Sequence, residues 1–198
     1  MTSIKRHLNP WLALVGMLAG ACTMFALPAI ASAHWCVYPP LSQPFLSWGD
    51  QNEYAAVPGQ WYDSFQGWRW TLTGGASVMT TTLQDGSTGD VLDLPSGSQA
   101  VSPVMCVNSS FTTMRTMIQD VTGDEGVEAY VSYLGDYGWS APTDIGNLNS
   151  QANSWAPSSP LGLQPSAGDW QYAQFTLIAG GRSSEFQIYN VYLDPYSK

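Results

Sequence analysis

The stretch Phe111-Thr-Thr-Met-Arg-Thr-Met-Ile-Gln-Asp-Val-Thr-Gly-Asp-Glu-Gly-Val-Glu-Ala-Tyr-Val-Ser-Tyr-Leu134 decides the fold class. Met114, Thr116 and Ile118 recur at every second position, as do Val127, Ala129, Val131 and Tyr133, while Arg115, Gln119 and Glu128 fall between them. A period of two marks a strand with one buried face, because successive side chains leave a strand on opposite sides. Between the two runs stands Thr122-Gly123-Asp124-Glu125-Gly126, acidic and glycine-rich. The segment therefore reads as a β-hairpin that places Met114, Ile118, Val127, Ala129 and Val131 in a core.

Outward from this segment the same grammar continues. Short runs rich in Val, Ile, Thr, Tyr and Phe, separated by Gly, Pro, Ser, Asn and Asp, predict strands near 68–72, 76–80, 91–94, 99–107, 112–119, 127–134, 171–178 and 185–193. No run of ten residues after position 34 has helical periodicity. About eight or more strands with turn signals between them predict an all-β fold, a two-sheet antiparallel sandwich of jelly-roll type. In the last run Phe186 and Ile188 share one parity and Val191 and Leu193 the other, so a bulge near Tyr189 and Asn190 is expected to restore a single buried face. Residues 135–170, with Asn147, Asn149, Asn153, Pro157, Pro160 and Pro165, read as a long polar connection with little regular structure.

Residues 1–33 read as a secretory leader: Lys5, Arg6 and His7 precede an uncharged apolar run from Trp11 to Leu27, and Ala31-Ser32-Ala33 fits an A-x-A cleavage site. A retained anchor over residues 11–33 and a lipoprotein acylated at Cys22 are the two alternatives. Cleavage leaves residues 34–198 as a single domain, secreted and extracellular. With the leader go Lys5, Arg6 and no acid, so four basic residues face fifteen acidic ones, a formal charge near −11. That balance excludes nucleic acid as a partner, since phosphate binding needs clustered Lys and Arg. Two cysteines remain, Cys36 and Cys106, on an export route that permits oxidation, and they are expected to pair. No CxxC exists and His34 is the one histidine left, so neither a thiol nor a metal chemistry is indicated.

Several strings carry a family resemblance: Gln43-Pro-Phe-Leu-Ser-Trp-Gly-Asp-Gln-Asn-Glu-Tyr, Val57-Pro-Gly, Gly67-Trp, Leu72-Thr-Gly-Gly-Ala-Ser-Val, Leu94-Pro-Ser-Gly-Ser, Ser102-Pro-Val-Met-Cys-Val, Met114-Arg and Val191-Tyr-Leu-Asp-Pro-Tyr. They resemble a family of small secreted actinobacterial proteins of unknown function, over nearly the whole mature chain. The layout of that family is similar to carbohydrate-binding jelly rolls, with an early Gly-Trp strand and a closing strand ending in Asp-Pro. The resemblance implies fold and export, and no catalytic residue. It also shows a departure: jelly rolls of this kind often carry Phe-Glu after the first strand and Ile-Asp-Asp-Val in the closing strand, where a structural calcium can sit. Here the corresponding strings are Trp61-Tyr62-Asp63-Ser64-Phe65 and Ile188-Tyr189-Asn190-Val191, with both acidic positions altered.

A sugar-binding face needs flat rings to stack on C–H surfaces, with amides and carboxylates beside them for hydroxyls. Trp68 and Trp70 share a strand parity, which assigns at least one to the core. Trp61, Tyr62, Tyr137, Trp139 and Trp155 lie in turn-rich segments, where exposure is favoured. Of these, Trp61, Tyr62 and Asp63, and Asp136, Tyr137 and Trp139, form the candidate ligand-binding set, because Gly59, Gly67, Gly135 and Gly138 let short segments present a ring outward. Asp120, Asp124, Glu125 and Glu128 cluster around one turn but lack the spacing of a calcium loop, so a solvated turn is the plain reading. No GxSxG or HExxH motif occurs. The sequence thus points to a non-catalytic extracellular binding module with no cofactor, its partner a cell-wall or environmental glycan. The alternative is a protein-interaction or structural surface protein, and a glycosidase-type carboxylate pair is a third reading.

Overall fold

The computed structural model describes residues 36–61, 64–123, 125–150, 153–166 and 170–195; the predicted leader, His34, Tyr62, Asp63 and Asp124 lie outside them. Fifteen strands are described: β1 Leu41–Ser42, β2 Tyr54–Ala56, β3 Thr71–Thr73, β4 Ser77–Thr82, β5 Thr88–Pro95, β6 Gln99–Val101, β7 Met105–Val107, β8 Thr113–Thr122, β9 Val127–Gly135, β10 Gly138–Trp139, β11 Thr143–Leu148, β12 Ala156–Pro157, β13 Leu161–Gly162, β14 Gln171–Ala179 and β15 Glu185–Asp194. A single 3-10 turn, Leu46–Trp48, is the one helical element among the described residues.

All pairings are antiparallel and build two sheets. In the first, β15 is central: β8 lies along one side of it, β5 and β2 share the other, β4 and β1 extend that side, and β12 and β13 border β8. In the second, β14 is central between β9 and the pair β6 and β7, with β3 beyond β6 and β10 and β11 on β9. The two-sheet antiparallel sandwich read from the sequence is the observed fold. Met114, Ile118, Val127, Ala129, Val131, Phe175, Leu177, Phe186, Ile188 and Leu193 fill the space between the sheets. The presence of β-branched and aromatic residues at alternate positions is what makes these strands pack there.

The expected β15 bulge is present. Ile188 faces Ile118 and Val191 faces Thr116, so three steps on β15 match two on β8, and Tyr189-Asn190 absorbs the extra residue. Cys36 and Cys106 are bonded, with Cα atoms 5.7 Å apart, and tie the start of the described chain to β7.

The Phe111–Leu134 hairpin needs correction. All five core residues assigned to it are buried, but β8 and β9 lie in different sheets and do not pair. Alternation fixes which side of each strand is buried; it says nothing about whether the next strand lies beside it or across the core. The link crosses between sheets because its glycines permit close approach: a Cβ on Gly123, at φ +94°, would sit 2.8 Å from Ser184 Cβ, and one on Gly126 would sit 2.8 Å from the Leu148 carbonyl. The 135–170 connection also differs, since it contains β10 to β13. These are edge or bordering strands with one wet face, so they need little apolar alternation. In β11 a register shift between Asp144 and Gly146 leaves Ile145 as an extra residue.

A second apolar cluster covers the outer face of the first sheet: Phe45, Tyr54, Val91, Met117, Trp155 and Tyr192, with Leu83 packed against it. Parity explains it, because Tyr192, Met117 and Val91 adjoin the inward-facing Leu193, Ile118 and Leu92. Trp155, expected to be exposed, is instead 8% exposed, and its indole Nε1 donates to the Thr82 carbonyl at 3.1 Å. That bond joins the β12 border of the sheet to the end of β4.

Candidate functional site

The outer face of the first sheet carries, beside this second cluster, an open depression lined by Trp48, Gly49, Asp50, Gln51, Asn52 and Arg115. Its shape begins with the chain direction at Phe45. The Phe45 ring is fully buried, packed edge-on to Tyr54 and Tyr192 at 4.9 and 5.5 Å between centroids. The next three residues make the 3-10 turn, closed by Gly49 at φ +80° and by hydrogen bonds from the Trp48 and Asp50 amides to the Phe45 carbonyl. Trp48 therefore stands on a short rigid turn and keeps 41% of its surface exposed.

Asp50 is the hub of the floor. Its Oδ2 accepts from Arg115 Nη1 at 2.6 Å and from the Tyr54 hydroxyl at 2.7 Å, and its Oδ1 accepts from the Asn52 amide at 2.9 Å. Arg115 enters from β8, on the face opposite Met114. Its Nε donates to the Ser158 carbonyl at 2.9 Å and its guanidinium lies 4.7 Å from the centre of the Phe45 ring. Asn52 Nδ2 donates to Asp194 Oδ2 at 3.3 Å, which joins the end of β15 to the same network. Burial, followed by the hydrogen bond to the Asp50 carboxylate, raises the Tyr54 phenol above its ordinary range, so Tyr54 remains a hydrogen donor. The arrangement offers a flat apolar ring beside amide, guanidinium and carboxylate groups held by one another. Such a set can stack on a pyranose ring and hydrogen-bond its hydroxyls.

The sequence-predicted residues lie elsewhere. Asp136, Tyr137 and Trp139 share the tip of the β9–β10 hairpin, where Gly135 pairs with Gly138; all three are exposed, Tyr137 completely and Trp139 at 44%. Trp61 is exposed, and its carbonyl accepts from Asn190 Nδ2 at 2.9 Å, which attaches it to the opposite sheet from that hairpin. Tyr62 and Asp63 lie outside the described residues. Of Trp68 and Trp70 one is in the core, as expected, but Trp68 is not on the strand that the sequence assigned to it. It is 67% exposed on a turn before β3, whereas Trp70 is buried with its Nε1 on the Pro58 carbonyl. Gly67 and Arg69, at φ +65° and +64°, break the alternation that put both indoles on one strand.

The depression itself was missed because Arg115 is separated by more than sixty positions from the Trp48–Asn52 turn. The available signal was a lone arginine in the alternating stretch that decides the fold.

Fold and site together define a class: a two-sheet antiparallel β-sandwich with a ring-bearing polar depression on an outer sheet face. No protein-family model matches the chain, and no curated protein matches it. Among solved structures it is similar to a family 6 carbohydrate-binding module from Clostridium cellulolyticum in complex with xylose, at 11% identity and TM-score 0.43, over 60% of this chain and 88% of that one. It is also similar to a xylan-binding domain of family 22 at 14% identity and TM-score 0.44, over 73% and 98% of the two chains. A third similar structure is the C-terminal family 22 module of Clostridium thermocellum Xyn10B, at 15% identity and TM-score 0.45, over 74% and 97%.

Proposed function

We propose that residues 34–198 form a secreted, non-catalytic module that binds glycan at the Trp48 depression, after removal of residues 1–33 as a leader. One observation carries the reading: an exposed indole on a rigid turn borders a floor whose polar groups are already fixed by Asp50. A sugar has the same two-part chemistry, an apolar C–H face and a rim of hydroxyls. Groups held in advance lose little freedom when a ligand arrives. Trp61, Tyr62 and Asp63 in one segment, and Asp136, Tyr137 and Trp139 in another, are proposed as outlying contacts for long chains, the rings for stacking and the carboxylates as hydroxyl acceptors.

The test is a glycan panel against the secreted protein, read by tryptophan fluorescence and repeated with Trp48→Ala. Loss of binding at an unchanged melting temperature supports the reading, and unchanged binding overturns this site. Mass measurement of the exported chain tests the Ala33–His34 cleavage. A second reading, a protein-docking surface, is favoured by the exposed Trp61 and Trp68, with Val78, which adjoins Gly67, and Met79 partly exposed on β4. It predicts that Trp68→Ala weakens a protein contact and leaves glycan binding intact.

A further inference from the structure

We infer that Asp50 sets the ligand class of the Trp48 depression: by occupying Arg115 it makes the site select neutral glycan chains and reject those bearing uronate carboxylates. The inference rests on the reading of the depression as a glycan site. A guanidinium at the floor of a sugar site is ordinarily the group that captures a carboxylate, because its planar fork matches two oxygens. Here two of its three nitrogens are engaged. Nη1 holds Asp50 Oδ2 at 2.6 Å, Nε holds the Ser158 carbonyl at 2.9 Å, and the guanidinium carbon lies over the Phe45 ring at 4.7 Å from its centre.

Asp50 is itself fixed from two further sides, by the Tyr54 hydroxyl and the Asn52 amide. An incoming carboxylate therefore has to displace an ion pair with side chains 16% and 21% exposed, and to do so against a carboxylate held in place. Asp194 joins the same network through Asn52 Nδ2. The whole chain compounds this, with fifteen acidic and six basic residues. A neutral pyranose meets none of that repulsion and still finds the Gln51 and Asn52 amides at the rim.

The experiment titrates the full secreted protein with cellohexaose, xylohexaose, mannohexaose and hexagalacturonate, by calorimetry and tryptophan fluorescence at about 0.1 M salt. The wild type is expected to bind at least one neutral hexamer about tenfold more tightly than hexagalacturonate. Asp50→Asn removes the carboxylate that holds Arg115 Nη1, and is expected to gain about tenfold for hexagalacturonate, a gain that shrinks with added salt. Glu128→Gln removes the same charge from an exposed position on the other sheet and is expected to change the preference by less than about twofold.

Equal or tighter binding of hexagalacturonate by the wild type overturns the inference and leaves the glycan reading standing. Absence of binding to every hexamer overturns the glycan reading itself, and the inference with it. A folded Asp50→Asn with no gain for the acidic hexamer also overturns the inference. Should that variant fail to melt cooperatively, Asp194→Asn carries the same expectation at about threefold, and absence of any gain there counts equally against it.

Discussion

The Phe45–Asn52 turn and the β9–β10 hairpin both present exposed rings, and they differ in what stands behind the ring. Behind Trp48 lie Asp50, Asn52 and Arg115, joined to Tyr54, Ser158 and Asp194 by hydrogen bonds from three separate parts of the chain. Behind Tyr137 there is a two-residue turn and solvent. Exposure of an aromatic ring is common to both regions. Polar groups fixed at its side are what distinguish a surface that can choose a ligand from one that is merely wet.

The strongest way to break the contrast is to loosen the scaffold. Cys36→Ser with Cys106→Ser opens a loop spanning 70 positions, and the chain-entropy model gives a loss of about 4 kcal/mol. Chemical denaturation with and without reductant should show it, together with weaker ligand binding, since the bond anchors the segment that leads to Phe45. Arg115→Ala comes next: it strips Asp50 and the Ser158 carbonyl of a donor in a largely buried setting and should cost about 2–3 kcal/mol in urea melts. A loss below about 0.5 kcal/mol would show the floor to be no more organised than an exposed ion pair.

Trp48→Ala should separate the two properties most cleanly. Stacking on one ring contributes about 1–2 kcal/mol, so a bound glycan should weaken by roughly tenfold or more in calorimetry, with little change in melting temperature. Asp120→Asn sharpens the comparison from the scaffold side. Asp120 is 7% exposed, its Oδ1 has no hydrogen-bond partner among the described residues, and burial pushes its carboxyl above the ordinary range. The native state therefore holds the proton more tightly than the unfolded chain, so stability contributed by the protonated form falls as pH rises from the unfolded carboxylate range through the raised native one. The Asn variant should gain about 1 kcal/mol at neutral pH and lose that dependence. Tyr137→Ala is the smallest effect: within about 0.5 kcal/mol of wild type in stability. A larger change would mean that the hairpin tip packs on something.

The sequence made some of this legible and hid the rest for physical reasons. The β15 bulge was readable because a parity break between Ile188 and Val191 has few other remedies in a strand buried on one face. The disulfide was readable because Cys36 and Cys106 are the two cysteines that follow the predicted leader, and two cysteines have one pairing. Strand burial in Thr113–Thr122 and Val127–Gly135 followed from alternation, but their partnership did not: a link of four residues can turn a hairpin or cross a core, and packing around Gly123 and Gly126 decides which. The depression was hidden because β15, inserted between β8 and β2 from the far end of the chain, is what brings Arg115 beside Tyr54 and Asp50. Trp155 was hidden for the converse reason, since a ring in a polar segment was needed to complete a cluster assembled from five other elements.

That ring has a further consequence. β4 borders its sheet with six uncharged residues, Ser77 to Thr82, and no proline or bulge interrupts its pairing with β5. A strand of this composition is a template onto which a foreign chain can grow, and proteins generally blunt such borders. The Trp155 indole takes the carbonyl of Thr82, the last residue of that border. It works as a stopper: an acceptor at the end of the ladder is already taken, and the residue that takes it stands next to β12, on the opposite margin of the same sheet.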